Sequence, residues 1–198
     1  MTELCFLAEK YGVDKCPKIH HSYTPKYHEI LNPIRNTVTT FIEIGIGNIR
    51  LMSPIVGKDY KPGASLRMWK DYFPIANIIG CDILPEVLFS DERITTYLVD
   101  QSNENSLNLF GNNIKSADII LDDGSHIKEH MKISFKTLWK YVNVGGLYII
   151  EDIQAHNLNE FENLATSLGF NDAKMIYSYK GTHLWDHFVI FKKEALSS

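Results

Sequence analysis

The chain has 198 residues, of which 44% are hydrophobic, and its formal net charge of −4 provides no basic surface for a nucleic-acid backbone. Its three cysteines show no disulfide or zinc-ligand spacing, which favours a reducing compartment. With neither a signal-peptide pattern nor an apolar run long enough to cross a bilayer, the sequence predicts a cytoplasmic protein of one domain, 1–198, without membrane or nucleic-acid partners.

Seven apolar runs rich in β-branched and aromatic residues predict the strands of an α/β fold. In chain order they are TTFIEIGI, NIIGCDI, RITTYLVD, ADIILDD, GLYIIEDI, AKMIYSY and HFVIFKK. Residues 1–39 are predicted to form a helical or irregular segment before this core of residues 40–198. Because most strands alternate with helical or turn segments and are almost continuously apolar, we expect a mostly parallel sheet with helices on both faces.

Two connecting segments in the second half of the core indicate the relative direction of the strands that they join. The stretch SHIKEHMKISFKTLWKYV has an apolar face and ends before Gly145 and Gly146, which predicts a crossover helix between the fourth and fifth strands. The apolar face comprises Ile127, Met131, Phe135 and Leu138. Only KGTHLWD separates the last two runs, so we expect the sheet to finish in an antiparallel hairpin.

Polar residues and glycines follow five successive strands at the point where each strand ends. They are Glu43, Gly45 and Gly47, then Asp82, then Asp100 and Gln101, then Asp122 and Asp123, and finally Glu151 and Asp152. The carboxyl ends of parallel strands meet at one edge of a sheet, where open α/β folds bind their ligands. Because acids gathered at one edge repel each other, the pattern predicts a metal ion there, together with a ligand that carries positive charge and hydroxyls.

The first strand ends in EIGIG, whose glycines let the backbone approach a ligand, and Asp82 is placed to accept hydrogen bonds from a ribose diol. A buried strand that runs into an ordinary glycine turn has the same appearance. Arg50 stands where the third glycine of a dinucleotide fingerprint would be, which disfavours NAD chemistry. The Tyr-x-x-x-Lys spacing of YGVDK, shared by some dehydrogenases, lies before the first strand, so we interpret it as a chance match.

The segment ILDDGSH, residues 120–126, places two acids, a glycine, a serine and His126 in one turn. These residues favour turns and helix starts, so a capped crossover helix is one interpretation, although it leaves the ED pair at 151–152 unexplained. A zinc peptidase helix is another, because HIKEH has the H-x-x-E-H spacing with His126, Glu129 and His130. The position of HIKEH directly after a parallel strand disfavours the zinc site.

Taken together, these motifs resemble the class I S-adenosylmethionine-dependent methyltransferases, and within them the metal-dependent macrolide deoxysugar O-methyltransferases of the mycinamicin and tylosin type. The resemblance extends over nearly the whole chain, from EKYGVDK and HHSYTPKY through EIGIG, IIGCDI and DQSNENSL. Its narrower part is the combination of SLRMW, DDGSH and IIEDI. It implies a Rossmann-like fold and transfer of a methyl group from S-adenosylmethionine to a sugar hydroxyl.

The family pattern implies a metal site formed by Asp123, Glu151 and Asp152, with His126 as the general base. Carboxylate oxygens are the ligands that Mg²⁺ or Mn²⁺ prefers, and a vicinal diol would fit the open coordination positions. The metal would lower the pKa of a hydroxyl, and His126, whose ordinary pKa is about 6.5, can take the proton at neutral pH.

The resemblance also implies which residues bind the cofactor. They are Glu43, Gly45, Gly47, Ser65, Asp82, Asp100, Gln101 and Asp122. The stretch DQSNEN would also serve as an ordinary polar loop and helix cap. His21, Tyr23 and Tyr27 are expected to close over the cofactor or the acceptor, although aromatic residues at i and i+4 more often pack against each other.

The stretch 48–62 departs from the compact methyltransferase turn, because the helix expected soon after EIGIG is delayed until ASLRMW. An insertion of this length suits a lid or an interface loop. Trp69 and Phe73, in and just after the delayed helix, are expected in the core.

Two functions of different classes agree with these patterns. The first is a Mg²⁺- and S-adenosylmethionine-dependent O-methyltransferase that acts on a deoxysugar or aminosugar, presented as a nucleotide sugar, a glycan end or a glycoside. The second is a catalytically silent binding or scaffold protein, which the presence of the base and all three ligands disfavours. A chain of 198 residues leaves no room for the additional N-terminal domain of some relatives, which disfavours a large macrolide acceptor. We also expect the protein to form a homo-oligomer.

Overall fold

The computed structural model describes residues 1–182 and 184–196. Its helices are α1 (Glu3–Tyr11), α2 (Thr24–Leu31), α3 (Ile49–Val56), α4 (Ala64–Tyr72), α5 (Glu104–Ile114), α6 (Lys128–Leu138), α7 (Leu158–Glu162) and α8 (Leu164–Ser167). Its strands are β1 (Thr40–Ile44), β2 (Asn77–Asp82), β3 (Ser90–Asp91), β4 (Ile94–Leu98), β5 (Ala117–Asp122), β6 (Val142–Ile150), β7 (Ala173–Lys180) and β8 (His187–Lys193). In the described part of the chain, every helix is too short or too polar to cross a membrane.

The strands form one sheet in the order β3-β4-β2-β1-β5-β6-β8-β7. The five central strands from β4 to β6 are parallel, whereas β8 lies antiparallel to both β6 and β7. This arrangement confirms the mostly parallel sheet that ends in an antiparallel hairpin. The predicted connection KGTHLWD and the predicted domain 1–198 include residues 183, 197 and 198, which lie outside the described residues.

The sheet described here has eight strands, one more than the sequence predicted. The additional strand is β3, which pairs antiparallel with β4 over only two residues. A segment of that length cannot show the alternation from which strands are predicted.

The register of the central strands brings the predicted polar residues together. Ile44 at the end of β1 pairs with Asp122 at the end of β5, and Asp122 pairs with Ile150 at the end of β6. The residues that follow these three strands therefore leave the sheet side by side. Parallel strands with aligned ends create the edge at which such folds bind ligands.

Each face of the sheet is covered by helices and has its own apolar core. On one face α1, α2 and α4 contribute buried side chains such as Leu4, Tyr27 and Trp69. On the other face α5, α6 and α7 contribute Leu107, Phe135 and Phe161 among others. Trp69 and Phe73 are fully buried, which confirms their assignment to the core.

The crossover helix α6 is confirmed, but its start differs from the prediction. Met131, Phe135 and Leu138 are buried as expected. Ile127 precedes the helix as its N-cap residue and is about half exposed, so its assignment to the apolar face was wrong.

The predicted delay of the helix after EIGIG was also wrong. Helix α3 begins at Ile49, where the side chain of Asn48 accepts a hydrogen bond from the backbone N–H of Leu51 at 3.0 Å. None of its residues is buried, and Pro54 within it removes a helical hydrogen bond. The apolar residues of this segment have helical spacing, but a proline is unfavourable inside a helix, which explains why the sequence did not predict α3.

Candidate active site

A cavity of about 360 Å³ opens at the carboxyl edge of β1, β2, β4 and β5. Most of the residues that the sequence predicted for a site line this cavity. They are Gly45, Gly47, Ser65, Asp82, Asp100, Gln101, Asp123, His126 and Asp152. Glu43, Asp122 and Glu151 are fully buried and do not line it. The structure therefore divides the predicted residues into a lining set and a set buried behind it.

The turn after β1 can be formed only with glycines. Gly45 has φ +96°, and a Cβ on it would lie 2.0 Å from the backbone oxygen of Asp123. Gly47 has φ +76°, and its Cβ would lie 2.6 Å from the Tyr60 hydroxyl. A side chain at either position would need a left-handed backbone and would clash. These glycines let the chain pass close to Asp123 and shape one wall of the cavity.

Asp82 holds the loops at this end of the cavity. Its Oδ2 accepts a hydrogen bond from the backbone N–H of Ile46 at 2.9 Å, and its Oδ1 accepts one from Leu84 at 3.0 Å. A carboxylate oxygen has two lone pairs, so each oxygen keeps one acceptor position. Asp82 is thus oriented by the protein and can still accept hydrogen bonds from a ligand.

Gln101 and Asp100 line the cavity, and both side chains also make hydrogen bonds within the protein. Gln101 donates to Asp122 Oδ1 at 2.6 Å and accepts from the backbone N–H of Ser125 at 2.8 Å. Asp100 Oδ1 accepts from the backbone N–H of Ser102 at 2.9 Å, as in an ordinary polar loop. The hydrogen bonds of Gln101 fix the DDGSH turn.

Glu43 and Asp122 lie behind the lining residues. Glu43 Oε2 accepts a hydrogen bond from Ser65 Oγ at 2.7 Å. Burial raises the pKa of Glu43 to about 7, against the opposing effect of Lys15. Burial also raises the pKa of Asp122 to about 7, although hydrogen bonds from Gly124 and Gln101 oppose it. These two acids reach the cavity only through Ser65 and Gln101, so they support its floor.

Asp123, His126 and Asp152 form a compact group at the other end of the cavity. One potential ligand atom from each lies within 4.8 Å of the other two. The His126 Nε2 atom is 3.2 Å from Asp123 Oδ1 and 3.6 Å from Asp152 Oδ2. His126 and Asp152 have left-handed φ angles of 56° and 52°, which turn their side chains into this position. Two carboxylates and an imidazole are a donor set that suits a divalent cation.

The acids strongly affect the charge on His126. Burial alone would lower its pKa, but the hydrogen bond to Asp123 and the charge of Asp152 outweigh burial and raise the pKa to about 9. The pKa of Asp123 is held below its usual range, because Lys15 and His126 outweigh the effect of burial on it. His126 and Asp123 thus form an ion pair at neutral pH.

Lys15 belongs to this site, and the sequence did not predict it. Its Nζ donates to Asp123 Oδ2 and to Glu151 Oε2, both at 2.5 Å, and its side chain is only 3% exposed. Burial lowers the pKa of a lysine, but the carboxylates of Asp123 and Glu151 outweigh burial and raise the pKa of Lys15 well above its ordinary value. Lys15 is part of YGVDK, interpreted above as a chance match. The available signal was the excess of acids at this edge, which required a cation from elsewhere in the chain.

Tyr23 also reaches the acids from the N-terminal segment. Its hydroxyl donates to Asp152 Oδ1 at 2.6 Å. His21 stacks on Tyr23, and its Nδ1 lies 3.1 Å from Asp186 Oδ1. Tyr27 is buried against Phe188, as the packing alternative predicted. His21, Tyr23 and Tyr27 are absent from the cavity lining, which the segment instead reaches through Val13, Asp14 and Lys15.

The zinc peptidase interpretation was wrong. His126 precedes helix α6, so it does not share a helix face with His130. The Nδ1 atom of His130 instead lies 2.9 Å from Ser125 Oγ. Among the described residues, the group suited to a metal contains Asp123, His126 and Asp152 and excludes Glu129 and His130.

Comparison with known proteins shows that the chain is similar to several O-methyltransferases, although no protein-family model matches it. It is 37% identical over 172 residues to the 8-demethyl-8-alpha-L-rhamnosyl tetracenomycin-C 2'-O-methyltransferase of Streptomyces olivaceus, covering 84% of this chain and 43% of that protein. It is 36% identical over 151 residues to the mycinamicin VI 2''-O-methyltransferase of Micromonospora griseorubida, covering 76% of this chain and 36% of that protein. The matched region is less than half the length of these relatives.

Solved structures give a consistent result. The MycE methyltransferase of the mycinamycin biosynthetic pathway, in complex with Mg, SAH and mycinamycin VI, superimposes with a TM-score of 0.77 at 28% identity, covering 98% of this chain and 55% of that chain. The plantazolicin methyltransferase BpumL superimposes with a TM-score of 0.60 at 14% identity, covering 98% of this chain and 86% of that chain, and shares the fold alone.

Proposed function

This chain belongs to the same methyltransferase family as the sugar O-methyltransferases that it matches, and on that basis we propose that it methylates a sugar hydroxyl with S-adenosylmethionine and a divalent cation. The observation that carries the proposal is one cavity with a glycine turn at one end and the Asp123, His126 and Asp152 group at the other. A cofactor and an acceptor bound in the same cavity are held close to each other, as group transfer requires.

The glycine end of the cavity suits the cofactor. The close approach that Gly45 and Gly47 permit supports this assignment, because a Cβ at either position would clash. Asp82 follows β2, where acids of this fold accept hydrogen bonds from a ribose diol, and it keeps free acceptor positions. Asp100 and Gln101 complete the wall of this end.

The acid end suits Mg²⁺ or Mn²⁺. Asp123 and Asp152 would hold the ion through carboxylate oxygens. We assign Glu151 to the same site because it directly precedes Asp152 after β6, but its side chain is buried behind the cavity lining and paired with Lys15. When bound, S-adenosylmethionine supplies an electrophilic methyl group and the divalent cation lowers the pKa of a coordinated hydroxyl. A pair of neighbouring sugar hydroxyls matches the coordination positions that the protein leaves open.

His126 is the base that we assign to the acceptor hydroxyl. Its Nε2 lies beside both carboxylates of the group, where it would face a hydroxyl held there. With a pKa of about 9, His126 is protonated at neutral pH. It therefore accepts a proton only when the negative charge of the carboxylates is compensated, which couples the base to occupation of the acid end.

The acceptor that we propose is a deoxysugar attached to a small molecule. The relatives named above are O-methyltransferases of a rhamnosyl tetracenomycin and of mycinamicin VI, and rhamnose is a deoxysugar. Nucleotide sugars and glycan ends present the same diol chemistry and are the further members of the acceptor class to be tested. A catalytically silent role for the chain is disfavoured, because His126 is hydrogen-bonded to Asp123 and its Nε2 also lies 3.6 Å from Asp152 Oδ2.

The test is a methyl-transfer screen of rhamnosyl and other deoxysugar glycosides, nucleotide sugars and oligosaccharides, with labelled S-adenosylmethionine. We expect transfer to at least one sugar in the presence of Mg²⁺ and none after chelation. An Asp152→Ala variant should bind S-adenosylhomocysteine but lose the metal-dependent transfer. Cofactor binding without transfer to any sugar would favour the silent alternative, and tight NADH binding without a response to S-adenosylmethionine would remove the cofactor assignment.

A further inference from the structure

Two residues of the N-terminal segment hold the carboxylates of the acid end. Lys15 donates to Asp123 Oδ2, and Tyr23 donates to Asp152 Oδ1. The opposite oxygens, Asp123 Oδ1 and Asp152 Oδ2, are the ones that lie 3.2 and 3.6 Å from His126. In each acid, therefore, one oxygen is fixed by the N-terminal segment and the other remains available on the His126 side.

We propose that Lys15 and Tyr23 are positioning residues that orient these two carboxylates for a divalent cation. The inference rests on the metal site proposed above and extends it to residues that do not themselves bind the ion. Hydrogen bonds to ligating groups fix their orientation, and the loss of such a partner typically lowers metal affinity 10- to 100-fold. The segment thus acts on the ion through Asp123 and Asp152.

The burial of these contacts supports a dedicated role. Lys15 is 3% exposed, and Glu151, its second partner, is fully buried. Tyr23 is also fully buried. A buried ion pair is a weak source of stability, because desolvation offsets the attraction between its charges. Stability alone therefore gives little physical reason to bury Lys15 between two acids, whereas orientation of those acids does.

Lys15 also supplies the cation that the acids need before an ion is bound. Its ammonium group lies between Asp123 and Glu151 and contacts both. Without Lys15, these two carboxylates would repel each other and would not be held in a fixed orientation.

The backbone of the segment is anchored independently of the ion. The N–H of His21 donates to the backbone oxygen of Asp14 at 2.7 Å, and the N–H of Thr24 donates to that of Lys15 at 3.0 Å. These contacts fold the segment into a loop that presents Lys15 and Tyr23 to the same edge of the sheet. Orientation of the carboxylates is therefore built before metal binding, which is the condition for a preorganised site.

The decisive experiment measures binding of Mg²⁺ alone, by calorimetry on the stably folded protein. Tyr23→Phe removes one hydroxyl, and we expect the Kd for Mg²⁺ to rise 10- to 100-fold while the Kd for S-adenosylhomocysteine stays unchanged. Tyr72→Phe is the matched control, because Tyr72 is buried in the same apolar core and its hydroxyl lies 3.1 Å from His28 Nδ1, away from the acids of the site. It should leave both Kd values unchanged. An effect on stability alone would not change the Kd of the folded protein.

Lys15→Met provides a second readout, with the exposed Lys10→Met as its control. Without metal, we expect Lys15→Met to lower the Tm by roughly 10 °C, since it leaves two carboxylates without their counter-ion. Mg²⁺ should then raise the Tm of Lys15→Met less than that of the unchanged protein, because a site with a higher Kd is stabilised less by the same Mg²⁺ concentration. An equal or larger rise would overturn the role of Lys15. If Lys15→Met does not fold, the result with Tyr23→Phe decides the proposal.

The outcomes separate this inference from the function on which it rests. If the unchanged protein does not bind Mg²⁺, the metal site itself is wrong and the inference falls with it. If the unchanged protein binds Mg²⁺ and Tyr23→Phe binds it equally well, the metal site stands and the positioning role is overturned. An equal loss in Tyr72→Phe would also overturn it, because the effect would then reflect packing of the aromatic residues.

Discussion

The two ends of the cavity are built in different ways. The glycine end consists of backbone turns and of backbone hydrogen bonds to Asp82, one from Leu84, two residues away, and one from Ile46, 36 residues away. The acid end is assembled from charges that are far apart in the sequence, since Lys15 lies 108 residues from Asp123 and 136 from Glu151. Local sequence patterns therefore predicted most residues of the glycine end. At the acid end they predicted the acids but not the residues of the N-terminal segment that pair with them.

The difference also has an energetic side. Turn geometry at the glycine end depends on the absence of side chains and does not depend on pH. The acid end depends on balanced charges, so its stability changes with pH and with cations. Substitutions at the two ends should accordingly affect different measured quantities.

The largest effect is expected from His126→Ala, which tests the chemistry of the acid end. The methyl-transfer rate should fall by roughly 10²- to 10⁴-fold, the usual contribution of a positioned proton acceptor, while cofactor and metal binding remain. Raising the pH should restore part of the rate, because more of the acceptor hydroxyl ionises without a base. Initial rates on an acceptor identified in the screen would measure both effects.

His130→Ala is the control for this substitution, because His130 contacts Ser125 and lies outside the metal group. It should keep both turnover and metal dependence. A stably folded His126→Ala protein with near-normal turnover would remove His126 from the mechanism.

Gly45→Ala tests whether the two ends of the cavity are independent, because this glycine packs directly on the backbone of Asp123. The added Cβ would require a strained backbone and a shift of the DDGSH turn, so the free energy of unfolding should fall by about 2–4 kcal/mol. Urea denaturation measures it. Gly57→Ala provides the comparison, because Gly57 also has a positive φ but open space around it, and should lose about 1 kcal/mol. Equal losses would mean that strain alone, and not the contact with Asp123, sets the effect.

Asp82→Ala tests the glycine end by itself. Loss of a charged hydrogen-bond acceptor should weaken the binding of S-adenosylhomocysteine roughly tenfold, without a change in Mg²⁺ affinity. Calorimetry with each ligand separates the two. The exposed Asp91→Ala should change neither affinity. A loss of Mg²⁺ affinity in Asp82→Ala would show that the two ends are not independent.

The smallest expected effect is the change with pH in the free energy of unfolding of the metal-free protein. The pKa of His126 is raised to about 9 in the folded state, so the stability that protonation contributes is complete below about pH 6.5 and is lost as the pH rises through 9. Because the side chain is partly exposed, roughly 1 kcal/mol is expected between urea denaturation at pH 6.5 and at pH 9.5. If His126→Gln shows the same difference in stability between the two pH values, another group causes the loss.

The sequence predicted the elements of the fold wherever the pattern was long and local. The seven longer strands, helix α6 and the polar residues at the strand ends were all recognisable in this way. Strand β3 is too short to produce a pattern, and helix α3 contains Pro54, which is unfavourable inside a helix. Ile127 was misplaced because periodicity does not mark the residue at which a helix begins.

The sequence predicted the acids of the candidate site but not the residues that form hydrogen bonds with them. The acids follow their strands, so their approach to each other could be inferred from the parallel sheet. Lys15 and Tyr23 reach them from a segment whose path no local pattern defines. The sequence also did not show that Glu43 and Asp122 lie behind the cavity lining, because a residue at a strand end can face either the ligand or the protein interior.

The contacts of the N-terminal segment determine when the site can form during folding. His21 meets Asp186 across 165 residues, and Tyr23 meets Asp152 across 129. Contacts of such separation require most of the chain between them to be in place, and they form slowly. During synthesis, Lys15 and Tyr23 emerge before the residues that they orient, yet they can complete their contacts only after β6 and β8 have joined the sheet. The acid end is therefore among the last parts of the molecule to assemble, and a cation can be captured in its final geometry only by a chain that has otherwise folded.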